Sequence, residues 1–159
     1  MARPRDASFI ERSNDRNFAA DWRGAICIWD VYKPSKTDIF EVGTTCLAFH
    51  PSGRWLAAAS LDEVVFIWDV QTQELAAELG GHKEGVTCIA YSPDGRWLVS
   101  GSDDRSLRFW NTDRHELQAV QELDTPIKAL CFSPDGRYLF TGNGNTTCYQ
   151  LEVDRLVEG

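Results

Sequence analysis

A seven-residue motif that recurs at nearly constant spacing constrains this chain more than any other feature. It reads His50-Pro51-Ser52-Gly53-Arg54-Trp55-Leu56, then Ser92-Pro93-Asp94-Gly95-Arg96-Trp97-Leu98, then Ser133-Pro134-Asp135-Gly136-Arg137-Tyr138-Leu139. The prolines stand 42 and 41 residues apart, and a second marker, Trp29, Trp68 and Trp110, keeps similar time at 39 and 42. A period of this length describes an array of supersecondary units, each of which buries its surface only against its neighbours.

The third unit shows the local logic. Val86 to Tyr91 is rich in β-formers and reads as a first strand, a. Ser92-Pro93-Asp94-Gly95 suits a type I turn, with serine at its first position, proline presetting φ at its second and glycine at its last. Trp97 to Ser102 reads as strand b, Asp103-Asp104-Arg105 as a reversal, Leu107 to Trp110 as strand c and Leu117 to Leu123 as strand d. Four short antiparallel strands joined by tight turns make a meander. Strands a to c are apolar on both faces, whereas d alternates, as in Leu117-Gln118-Ala119-Val120-Gln121. Such sheets stay dry only when stacked face to face, and packing round an axis meets that demand.

With its Trp-Asp endings at Trp29-Asp30 and Trp68-Asp69 and Trp-Asn at Trp110-Asn111, the chain resembles the WD-repeat family over residues 7 to 159, most strongly from 43 to 142. The resemblance implies an all-β fold, a WD-repeat β-propeller of about four four-stranded antiparallel blades. It also implies a buried network in each blade, made by a histidine before strand a, a hydroxyl in strand b, an aspartate in the b–c turn and the tryptophan of strand c. The third blade has all four, in His82, Ser100, Asp104 and Trp110. Their expected role is structural rather than catalytic, since buried polar groups need partners and a complete network is rigid.

The other units depart from the pattern. The second has Phe40, Ala58, Asp62 and Trp68 at the four places, and the fourth has Leu123, Thr141, Asn145 and Leu151. The first keeps Trp29-Asp30 and a b–c turn at Arg23-Gly24, but Arg12-Ser13-Asn14-Asp15 lacks the proline and glycine. The expected division is an N-terminal tail over 1–6, a degenerate blade over 7–42, blades over 43–84 and 85–126, and a truncated blade over 127–159. The polar first six residues, with Pro4, make a poor closing strand, so an incomplete ring is expected. Each large apolar side chain left wet on an open face forgoes roughly 1.5–3 kcal/mol, against a domain's margin of ~5–15 kcal/mol. A homodimer that closes the ring, or additional blades from a larger assembly, would relieve that loss.

Composition excludes several functions. A net charge of −8 argues against a nucleic-acid partner, which calls for a basic stripe. No apolar run approaches the ~20 residues of a membrane span, so no membrane partner is expected. The charged start lacks the apolar core of a signal peptide. Cys27, Cys46, Cys88, Cys131 and Cys148 all lie in apolar runs without metal-ligand spacing, and read as small buried hydrophobes in a reducing, cytoplasmic setting. No metal or cofactor is expected. His50 reads as an exposed turn residue, and His115-Glu116 lacks the second histidine of a zinc protease. Gly142-Asn143-Gly144-Asn145 reads as a tight b–c turn, and Asn145-Thr146-Thr147 as a chance match to a glycosylation acceptor.

The chain is therefore expected not to be an enzyme but a non-catalytic scaffold for partner proteins or peptides. The alternative is a regulatory or sensor module of a larger multidomain enzyme. In an up-down meander the b–c turns and d–a connections share one rim, and the resemblance implies that this rim holds partner peptides. The candidate contact residues are Trp22, Arg23, Leu61, Lys83, Glu84, Asp103 and Gly144. Trp22 and Arg23 have the chemistry of interface hot spots, although Trp22 also fits a role inside the degenerate first blade. Leu61 is either exposed for a partner or tucked under a neighbour.

Overall fold

The computed structural model describes the backbone of residues 7–12, 17–22, 25–30, 36–41 and 43–157, and the side chains of 26–28 and 43–157. The first sheet consists of β1 (Ala7–Arg12), β2 (Asn17–Trp22), β3 (Ala25–Asp30) and β4 (Lys36–Glu41). The second contains β5 (Thr44–Phe49), β6 (Trp55–Ser60), β7 (Val65–Asp69) and β8 (Glu74–Leu79). The third contains β9 (Val86–Tyr91), β10 (Trp97–Ser102), β11 (Ser106–Asn111) and β12 (Glu116–Glu122). The fourth has three strands, β13 (Ile127–Phe132), β14 (Tyr138–Asn143) and β15 (Cys148–Glu152), followed by a short helix, α1 (Val153–Val157). Every sheet is an antiparallel meander in chain order. The helix stands where a fourth outer strand would begin, and packs Val153, Leu156 and Val157 onto the core beneath it.

The repeated motif forms the a–b turns. Gly53, Gly95 and Gly136 each return an N–H to the carbonyl three residues earlier, at 2.8, 2.9 and 2.9 Å, and hold φ of 73°, 75° and 73°, a left-handed backbone that glycine adopts without penalty. In the third sheet Ser92 donates to the Asp94 carboxylate at 2.6 Å. That carboxylate accepts the Arg96 N–H at 3.0 Å, and the Ser92 hydroxyl accepts the Trp97 N–H at 3.0 Å. Ser133 and Asp135 repeat the arrangement in the fourth sheet. The Ser-Pro-Asp-Gly sequence thus satisfies a turn's backbone donors with its own side chains.

Sheets stack through three apolar clusters. Ile26 and Ile28 meet Leu47, Phe49, Leu56, Ala58 and Trp68 between the first and second. Ala57, Ala59, Val65 and Ile67 meet Val86, Ile89, Leu98 and Trp110 between the second and third. Val99, Leu107 and Phe109 meet Ile127 and Leu139 between the third and fourth. The register is interrupted once at the same place in each a–b pair, next to Thr45, Thr87 and Lys128 in the last three sheets. Such bulges re-aim a side chain and sharpen twist. Here they turn Thr45 to donate to the Val86 carbonyl at 2.5 Å, and Thr87 to donate to the Ile127 carbonyl at 2.5 Å, so the innermost strands are tied from sheet to sheet. Lys128, at the third such place, turns back to pair with Asp103. The strands neighbour one another in the order β1, β5, β9, β13, and among the described residues no comparable approach joins β13 to β1. The ring is open.

Three expectations need correction. His50 is not a free turn residue: its Nε2 lies 3.0 Å from the Gly95 carbonyl and its ring sits edge-on to Tyr91 at 5.1 Å, so it wedges the second sheet against the third. Cys131 and Cys148 are exposed rather than buried, because they lie on the face of the fourth sheet that, among the described residues, no further sheet covers. The turn read as Gly142 to Asn145 is displaced, with Gly142 inside β14 and the reversal closed by the Thr146 N–H on the Asn143 carbonyl at 3.1 Å.

Candidate functional site

Within the third sheet, four residues from two strands, the b–c turn and the incoming connection meet in a continuous chain of hydrogen bonds. Trp110 Nε1–H donates to Ser100 Oγ at 2.9 Å, Ser100 Oγ lies 2.8 Å from His82 Nε2, and His82 Nδ1 lies 2.9 Å from Asp104 Oδ2. The Trp110 donor leaves the Ser100 proton for Nε2, so the ring carries its proton on Nδ1 and gives it to the carboxylate. Asp104 also accepts the backbone N–H of Lys83 at 2.9 Å and, on its other oxygen, the hydroxyl and N–H of Ser106 at 2.7 and 2.8 Å.

Burial holds the His82 imidazole below its usual range, further helped by the nearby Arg108 cation, while the Asp104 hydrogen bond opposes the shift without reversing it. Burial pushes the Asp104 carboxyl up, but the bonds from Ser106, Lys83 and His82 together hold it below the ordinary carboxylate range. The neutral imidazole and the ionised carboxylate therefore coexist. The His82 side chain is 0% exposed, and the Asp104 carboxylate ties the connection between β8 and β9 to the b–c turn through His82 and the Lys83 N–H.

The counterparts are less complete. In the second sheet Ala58 stands opposite Phe66 where Ser100 stands opposite Arg108, so the place of the Ser100 hydroxyl holds a methyl group. Asp62 is exposed, and Phe40 lies outside the residues whose side chains are described. In the fourth, the Thr141 hydroxyl accepts the Tyr149 N–H at 3.3 Å, Asn145 accepts the Thr147 N–H and hydroxyl, and Leu123 and Leu151 are half-buried.

The b–c turns and sheet-to-sheet connections lie at one rim. Leu61 is 63% exposed and leans on the next connection: a methyl added at Gly85 would come within 3.0 Å of its Cδ2. One side of Leu61 thus rests on a neighbour and the rest faces solvent. Lys83 and Glu84 are exposed. Asp103 is engaged by Lys128, and its N–H donates to the Gly85 carbonyl at 3.2 Å. Gly144 is exposed, with its N–H on the Pro126 carbonyl at 2.8 Å. Trp22 ends β2, paired with Ala7 and Ala25; its side chain, and Arg23 altogether, lie outside the described residues. Sequence reasoning overlooked Lys128 and Gly85. Lys128 carried a signal, since it replaces the threonine found at that place in the two preceding sheets.

Among the described residues, no group of His, Cys, Asp and Glu side chains is placed to hold a metal ion, and no helix is long and apolar enough to cross a membrane. Burial pushes the Cys88 thiol up to about 12, which makes it unreactive.

A protein of Schizosaccharomyces pombe, UBP9-binding protein bun62, is 31% identical over 64 residues, which cover 38% of this chain and 12% of that protein. The chain therefore corresponds to a small part of this relative's length. The family model described as WD domain, G-beta repeat matches residues 37–69, 73–111 and 117–150. Each matched segment holds the outer strand of one sheet and the three inner strands of the next, so the sequence repeat is offset from the sheet by one strand. With three matches that together span well over half its residues, the chain belongs to the WD-repeat family.

Proposed function

We propose that the chain is a non-catalytic scaffold that holds partner proteins or peptides at the rim made by its b–c turns and sheet-to-sheet connections. The observation that carries this reading is Leu61. It is a large apolar side chain 63% exposed at a place occupied by Asp103 in the third sheet and Gly144 in the fourth. Lys83 and Glu84 flank the same rim, and Trp22 and Arg23 are assigned to it by their place in the sequence between the second and third strands of the first sheet. Proteins of this family serve as interaction platforms, and the fission-yeast relative is named for binding another protein. Five free thiols fit residence in the reducing cytoplasm. Completion of the ring by a second copy or by blades of a larger assembly belongs to the same reading. A mass measurement in solution separates these cases, since a discrete dimer selects the former.

The test is affinity capture from native extract, comparing the chain with its Leu61→Ala and Trp22→Ala variants. Proteins held by the unaltered chain are expected to be depleted with the variants while the β circular-dichroism signal persists. Equal recovery by all three would move the contact away from this rim.

A further inference from the structure

In β11, Arg108 stands between buried Leu107 and Phe109. Those two side chains join the core shared with the fourth sheet, so strand alternation turns Arg108 to the opposite face, toward the second sheet, with Trp110. There its guanidinium lies over the connection from β8 to β9, where a methyl on Gly81 would come within 2.8 Å of Nη1. Arg108 is half-buried, and its Nε is sealed from solvent without an acceptor. Among the described residues no hydrogen bond or ion pair engages this guanidinium. An arginine carries five donors and stays charged at any pH the protein meets, so withdrawing it from water without a partner is costly.

The equivalent places show what is missing. Register puts Phe66 opposite Ala58, Arg108 opposite Ser100 and Tyr149 opposite Thr141. Phe66 packs on the apolar cluster shared with the first sheet. Tyr149 donates its hydroxyl to the carboxylate of Asp124 at 2.8 Å, and Asp124 belongs to the connection that enters the fourth sheet. The fourth sheet thus meets its donor with an acid from the incoming connection. The third sheet offers a stronger donor, and the corresponding connection passes it with two exposed glycines, Gly80 and Gly81. On the neighbouring strand β12, Val120 lies opposite Arg108 and Leu117 opposite Trp110, 46% and 44% exposed respectively.

We propose that this surface, between the second and third sheets, is a docking site for a partner-protein segment that brings a carboxylate side chain to Arg108 and lays an apolar side chain against Val120 and Leu117. The planar fork of the guanidinium matches a carboxylate bidentately. The net charge of −8 favours a short acidic segment over a polyanion, because repulsion from distant carboxylates is screened beyond ~8–10 Å whereas a nucleic acid would meet all of it. The site borders the rim at the β8–β9 connection but uses Arg108, Val120 and Leu117 in place of Leu61, so the Leu61→Ala variant separates the two readings.

The test uses the whole chain and three probes: a fluorescent capped hexapeptide of alternating Glu and Leu, its Gln-Leu counterpart, and inorganic phosphate alone. The acidic peptide is expected to move the Arg108 Nε–H resonance and to bind about tenfold or more tighter than the Gln peptide. Arg108→Gln should abolish that preference. Gly80→Asp, at a place where an added Cβ meets nothing within 4 Å, should weaken binding by offering an internal carboxylate. Leu61→Ala should leave it unchanged. The proposal is overturned if saturating acidic peptide leaves the Arg108 resonance unmoved, or if Arg108→Gln binds as well as the unaltered chain. It is equally overturned if Leu61→Ala removes the binding, or if phosphate alone moves the resonance as far as the peptide does.

Discussion

The third and fourth sheets begin alike, with Ser-Pro-Asp-Gly-Arg turns that superimpose hydrogen bond for hydrogen bond, and then diverge. The third has four strands, apolar neighbours on both faces and an unbroken polar chain from Trp110 to Asp104. The fourth has three strands, one covered face, and Leu123 and Leu151 where the third has His82 and Trp110. On its uncovered side, Cys148 and Gln150 take the places of Leu107 and Phe109, which are both 0% exposed in the third sheet. The turn motif sets a local shape that does not depend on what lies beyond the sheet. Burial and the network do depend on it, and they distinguish an interior member of the array from its last one.

That contrast should appear first as stability. Trp110→Ala removes a buried indole and the hydrogen bond it gives to Ser100, so it is expected to cost about 3–5 kcal/mol in denaturant unfolding. Leu151→Ala, the same place in the fourth sheet, should cost about 1 kcal/mol because the side chain is already half in water. Equal losses would break the comparison. Asp104→Asn weakens charge-assisted bonds to His82, Ser106 and Lys83 and should cost about 1.5–3 kcal/mol, whereas Asn145→Ala, in an exposed turn, should stay within about 0.5 kcal/mol.

The network also predicts an acid sensitivity. Burial lowers the His82 pKa in the folded chain, so the unfolded chain takes up a proton first as pH drops below its ordinary value of about 6.5. The stabilisation is full above that pH and is lost as pH falls through the range down to the folded value. His115, also lowered mainly by burial, adds to the same trend. Unfolding midpoints between pH 7 and 5 should therefore fall less in His82→Leu than in the unaltered chain. Identical slopes would mean that His82 is not held neutral. The smallest effect on stability, and the sharpest on chemistry, concerns the thiols. A maleimide should label Cys131 and Cys148 rapidly and Cys27 and Cys88 only upon unfolding, as mass spectrometry of timed samples would reveal. Rapid labelling of Cys88 would mean that the third and fourth sheets separate readily.

The strands of the third sheet could be read almost to the residue. β9 and β10 cover the expected ranges 86–91 and 97–102, because proline, glycine and aspartate mark the turn and β-formers fill the runs between. The spacing that singled out His82, Ser100, Asp104 and Trp110 does bring them within hydrogen-bonding reach. Properties set across sheets were not legible. Whether Cys131 is wet depends on the absence of a sheet beyond it, which no local pattern records. His50 is held by a carbonyl 45 residues away. Arg108 is in sequence the one charged residue of an otherwise apolar strand c, and its unmet guanidinium emerges only from where the Gly81 backbone passes. The helix α1 follows a strand without any capping signal in Glu152-Val153-Asp154, and its apolar contacts with the third and fourth sheets account for it better than local propensity does.

The one-strand offset between repeat and sheet has a consequence for covalent continuity. A nick in the turn between β11 and β12, near Asp113, would divide the polypeptide at a boundary between repeats, yet both cut ends would belong to one sheet. The pairing of Ser106 with Glu122 through Asn111 with Glu116 would still clasp the two pieces. Fragments ending and beginning there should find each other when mixed, each carrying the selvedge that the other's weave lacks.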